Sequence, residues 1–197
     1  MNFSENISNK LTEVITNELD CNEDKKEIIA YAIETALLFI LGSLLIILIG
    51  YAFHALMTTI IAAIFGGLLR RVSGGAHFNT PVKCLIIGAI SYGFIGVLAK
   101  KLLDSNLTNQ YVLIFSLVAS FLLVAFLAPV DSDAKPIHSS SLKFKLKISS
   151  MVFIIILFII MYVFDNPVLS VSAVLGVAYQ SITLLPIFNR KGGENRL

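Results

Sequence analysis

The chain has 197 residues, 56% of them hydrophobic and 14% charged, with a net charge of +2. Its mean hydropathy is +0.84, and an ordinary soluble domain carries roughly 25% charged residues, so a compact water-soluble fold is excluded. The two cysteines, Cys21 and Cys84, show no CxxC or Cys/His metal spacing, so no disulfide framework, metal or cofactor is expected.

Residues 1–27 are polar and acid-bearing, without the basic start, apolar stretch and cleavage site of a signal peptide. Ile7, Leu11, Val14, Ile15 and Leu19 recur near one helical face. That pattern predicts an amphipathic helix at the membrane interface, and it fits a helix packed on the chain's own loops equally well. Cys21 has nothing nearby to activate it, and Asn22-Glu23-Asp24 is a helix start signal.

From Ile28 to Leu69 the sequence is almost uncharged. One helix of that length would measure ~63 Å at ~1.5 Å per residue, twice the ~30 Å of bilayer hydrocarbon. The stretch is therefore expected to fold back around Gly50–Tyr51, giving spans near 28–49 and 52–69. A polar segment, 70–83, separates these from spans near 82–99, 111–129, 148–164 and 167–188. The last two are joined by Asp165-Asn166-Pro167. The expected fold is an all-α integral membrane bundle of about six helices over residues 28–188, preceded by the interfacial segment 1–27 and followed by a tail, 189–197.

The basic residues test this count. With six spans, thirteen of the fifteen Lys and Arg fall on one side, and only Lys100 and Lys101 on the other. A single span over 28–69 would give a split of ten to five. The positive-inside rule prefers the first, so both termini and the 70–83 loop are expected to face the cytoplasm of a cell membrane. No nucleic acid partner is implied.

The segment RRVSGGAHFNTPVKC (70–84) gathers Arg70, Arg71, Gly74, Gly75, His77, Lys83 and Cys84. Thr80 and Pro81 suit the N-cap and first position of a helix, which sets Cys84 in the first helical turn. The helix N-terminus, the basic neighbours and a protonated His77 would all favour a thiolate, and thiolate with imidazole is the usual recipe for a cysteine nucleophile. On one continuous helix, residues seven apart lie ~10 Å apart. Gly74, Gly75 and Pro81 instead indicate a turn that would let His77 approach Cys84. A lone interfacial cysteine in a membrane helix is more often simply small and apolar.

These residues resemble the signature region of the AgrB family, membrane peptidases of Gram-positive quorum sensing. The segment APVDSDAKPI (128–137) is similar to that family's second landmark. The resemblance implies that His77 and Cys84 are the catalytic pair and that the substrate is an AgrD-like propeptide with an acidic tail. It implies removal of that tail through an acyl-enzyme thioester, followed by closure of a thiolactone or lactone. Arg70, Arg71 and Lys83 are then candidates for holding the tail or the oxyanion, and Gly74 and Gly75 for backbone geometry or an oxyanion hole.

Asp131, Asp133 and Glu34 are candidates for orienting the imidazole. Glu34 lies about two turns into the first span, where an acid is expensive and a function is a reasonable default, although near the cytoplasmic end it could equally snorkel to the interface. His54 and His138 read as structural, and Gln180 as a helix–helix hydrogen bond. The competing reading is a small peptide transporter without covalent catalysis, and the sequence leaves a homodimer open.

Overall fold

The computed structural model describes residues 23–76, 80–130 and 139–189. The amphipathic segment, Cys21, His77, Asp131, Asp133, His138 and most of the tail lie outside them. The described residues form six α-helices and one short 3-10 turn. In chain order these are α1 (Glu23–Ala52), α2 (Leu56–Ser73), α3 (Pro81–Asp104), α4 (Gln110–Leu127), α5 (Ser140–Val163) and α6 (Pro167–Ile182). Five of them, α1 to α5, are long and apolar enough to cross a membrane. The chain is an all-α, multi-pass membrane protein.

Helix ends follow local side-chain chemistry. Asn109, Ser139 and Asn166 cap α4, α5 and α6, accepting hydrogen bonds from the backbone N–H of Tyr111, Leu142 and Leu169. Such caps satisfy donors that the first helical turn cannot pair internally.

The turn after α1 falls later than Gly50–Tyr51. The helix runs to Ala52 and closes with two bonds, Ala55 N–H to the Gly50 carbonyl (2.8 Å) and His54 N–H to the Tyr51 carbonyl (3.0 Å). His54 occupies the left-handed position at φ 53°. This is a helix stop usually made with glycine, and a histidine there gives no sequence warning. Gly50 instead lets α2 return closely, since a Cβ on it would lie 3.1 Å from Leu56 Cα.

The last helix also differs from its expected length. α6 stops at Ile182 rather than 188 and is followed by the 3-10 turn Pro186–Phe188. Asn189 Nδ2 donates to the carbonyls of Thr183 (2.8 Å) and Leu185 (3.0 Å), satisfying acceptors at the helix end.

Helix α6 packs against α2, α3, α4 and α5, most extensively against α2. Leu69, Leu117, Val124, Ile154, Leu157, Val174 and Val177 form the apolar core between α2, α4, α5 and α6. Glycine permits the closest approach, since a Cβ on Gly176 would collide with the Ala62 carbonyl of α2. α1 packs on α2 and α3 and leaves Phe39, Leu44, Leu48 and other large apolar side chains exposed.

The helices alternate in direction. His54, Lys100, Asp104 and Val168 line one open cavity of about 450 Å³, which gathers one end of α1, α2, α3 and α6. At the opposite end the last residues of α2 and α6, the segment after α4 and the start of α3 converge around Arg70–Ala76 and Thr80–Cys84.

Candidate functional site

Helix α3 begins as its sequence predicts. Thr80 is the N-cap, its hydroxyl accepting from Lys83 N–H at 3.4 Å, and Pro81 is the first helical residue. Cys84 N–H donates to the Thr80 carbonyl (3.2 Å), so the half-buried thiol lies in the first turn. The positive end of the helix dipole is at that turn.

The guanidinium of Arg70, from the last turn of α2, faces this sulfur, with Nη2 3.6 Å from Cys84 Sγ. The same Nη2 donates a short hydrogen bond to the Ala76 carbonyl. Arg70 thus joins the end of one helix, the turn that follows it and the start of the next. A fixed cation beside a sulfur at a helix N-terminus can stabilise an oxyanion forming there.

The turn itself is held from three sides. Gly74 N–H donates to the Arg70 carbonyl (3.0 Å), closing α2, and Val130 N–H donates to the Ser73 carbonyl (2.9 Å). Gln180 Nε2 on α6 donates to the Gly74 carbonyl at 2.7 Å and reaches Ser73 Oγ at 3.4 Å. Gly74 (φ 70°) and Gly75 (φ 139°) both adopt backbone angles that side chains disfavour. A Cβ on Gly74 would strike the Val130 carbonyl, and one on Gly75 would lie 2.8 Å from Thr183 Oγ1 and 2.9 Å from Gln180 Nε2.

Of the residues singled out in the sequence, Arg70, Gly74, Gly75 and Cys84 are brought together. Arg71 is exposed and sets its guanidinium over the Phe39 ring of α1, 5.9 Å from the centroid. Lys83 is exposed beside Cys84 in sequence. Glu34 is half-buried on α1, five residues before Phe39. His54 is exposed at the opposite end of the bundle. Among the described residues no cluster of His, Cys, Asp and Glu could hold a metal ion.

Gln180 makes the cross-helix bond that its sequence position suggests, to Ser73 Oγ at the end of α2, and a shorter one to the Gly74 carbonyl just beyond it. Thr183 and the backbone of Val130 carried no signal. Their contacts join residues more than 50 to more than 100 positions apart and exist only once α6 has packed against both α2 and α4.

A family model described as accessory gene regulator B matches residues 8–184. Among curated relatives, putative AgrB-like protein 2 of Clostridium perfringens is 30% identical over 94% of this chain and 92% of its own. Accessory gene regulator protein B of Staphylococcus intermedius is 31% identical over 62% of each chain. Its Staphylococcus aureus (strain JH9) namesake is 25% identical over 76% of this chain and 79% of its own. No solved structure matches.

Proposed function

The chain belongs to the accessory gene regulator B family, and from that premise we propose that it is a membrane-embedded cysteine endopeptidase that trims and cyclises a quorum-sensing propeptide. Family membership gives the chain a role in the agr quorum-sensing system. The observation that carries the finer reading is the Arg70 guanidinium 3.6 Å from Cys84 Sγ in the first turn of α3. That is the electropositive setting in which thiols become nucleophiles.

In this reading His77 takes the Cys84 proton, and the thiolate attacks the carbonyl carbon joining the signal sequence to the acidic tail. Arg70 stabilises the oxyanion that develops. The C–N bond breaks, the tail amine leaves with the proton held by His77, and the signal remains as a Cys84 thioester. A thiol or hydroxyl of the same peptide then attacks the thioester. Its proton returns to Cys84 through His77, and the ring closes. Thiol–thioester exchange is nearly isoenergetic, and limited access of water protects the acyl-enzyme from hydrolysis. The Arg70 end is read as cytoplasmic because the basic residues concentrate there.

The test is co-expression with an AgrD-like propeptide, following its mass in membranes and cytosol. Wild type should release the tail into the cytosol and leave the signal lighter by one water. Cys84→Ala and His77→Ala, at matched membrane levels, should give neither product. Tail release by Cys84→Ala would end the peptidase reading and leave peptide transport as the one to test.

A further inference from the structure

Gln180 is completely buried, 0% exposed, near the end of the most enclosed helix. Its Nε2 is committed to the turn after α2, while its Oε1 has no hydrogen-bond partner among the described residues. The amide orientation is fixed chemically, since only a donor can serve the Gly74 carbonyl. A buried amide with one unpaired half is a poor device for holding helices together, because the unpaired carbonyl has lost its water without compensation.

The donor half reaches the reaction centre in two steps. Gln180 Nε2 fixes the Gly74 carbonyl at 2.7 Å. Two residues on, the Ala76 carbonyl accepts from Arg70 Nη2, the nitrogen that faces Cys84 Sγ at 3.6 Å. We propose that Gln180 is a positioning residue for Cys84, holding the Ser73–Ala76 turn where the Ala76 carbonyl aims the Arg70 guanidinium at the sulfur. This rests on the peptidase reading for its kinetic consequence, but its geometric consequence stands apart from that reading.

The test uses the full chain in a Cys21→Ala background, so that Cys84 is the only thiol, with Gln180→Met and Gln180→Glu. Methionine keeps length and volume and removes both polar atoms. Glutamate puts an acceptor against the Gly74 carbonyl. For both variants kcat for tail release should fall roughly 10- to 100-fold, as expected for a misplaced reacting group, with KM changed by less than about twofold. Iodoacetamide should alkylate Cys84 several-fold more slowly, because the guanidinium no longer faces it. The Tm of Gln180→Met should stay close to that of the parent, since loss of the unpaired Oε1 offsets loss of the bond to the Gly74 carbonyl, which Ser73 Oγ still serves at 3.2 Å.

A fall in kcat at unchanged stability is what a merely structural glutamine would not produce. Parental kcat and alkylation rate in Gln180→Met, or a kcat that falls only together with Tm, would overturn the proposal. The alkylation arm needs no propeptide. It therefore decides the role of Gln180 even if Cys84→Ala still releases the tail, a result that would remove the peptidase reading alone.

Discussion

Gly75 and the arginine pair show what a single position contributes. In sequence Arg70 and Arg71 are equivalent neighbours, and both were expected to be able to meet a substrate. One residue of helical rotation separates them, so that Arg70 closes on Cys84 (3.6 Å) while Arg71 lies on Phe39 of α1. Gly75 was legible as a backbone residue, but the reason that it must be glycine lies in Gln180 and Thr183, more than 100 positions away. At φ 139°, with 2.8 Å to Thr183 Oγ1, alanine there is strained twice over. Gly75→Ala should therefore insert normally yet lose roughly tenfold or more in tail release through displacement of the turn. Propeptide mass at matched membrane levels checks this, and wild-type processing would contradict it.

Among the helices, the capping chemistry could be read directly from sequence. Thr80-Pro81 and Asn166-Pro167 start α3 and α6 where their residue types predict. The stops were less legible. α1 and α3 end with His54 (φ 53°) and Asn106 (φ 51°) in the left-handed position. Neither helix carries the glycine that usually marks such an end. Glycines inside the helices serve approach rather than termination, and the sequence does not separate the two kinds. Gly176 faces the Ala62 carbonyl, whereas Gly88 on α3 has nothing within 4 Å of its would-be Cβ. Gly176→Ala should cost about 1–3 kcal/mol by forcing α2 and α6 apart. Gly88→Ala should leave stability unchanged or slightly raised, because alanine is the better helix former. Thermal unfolding of the two variants in detergent compares them, and equal Tm values would contradict the close packing of α2 on α6.

For the molecule as a whole, composition was enough to give a helical membrane bundle with a turn between α2 and α3, but both ends of the expected loop 70–83 are helical, since α2 runs to Ser73 and α3 begins at Pro81. Composition could not say which helices are central. In lipid, apolar side chains gain nothing by turning inward, and the order runs opposite to that of a soluble protein. Of the five long helices, α1 is the most apolar and has none of its most apolar window buried, while α2 is the least apolar and has the largest buried share. The centre is chosen by small and polar residues such as Gly66, Gly176 and Thr59, which allow close contact. Their effect depends on partners that a single sequence does not reveal.

The shortness of α6 has a mechanical consequence for the surrounding lipid. With 16 residues in α6 and 18 in each of α2 and α4, these helices measure ~24–27 Å at ~1.5 Å per residue, against ~30 Å of acyl chain. Either the bilayer thins around these helices or the protein yields, and α1, with 30 residues, is long enough to cross the same slab at a tilt. Lengthening the acyl chains then loads the protein like a spring. Its Tm should be higher in nanodiscs of short-chain phosphatidylcholine than in those of long-chain lipid. Indifference to chain length would mean that the membrane, and not the protein, does the yielding.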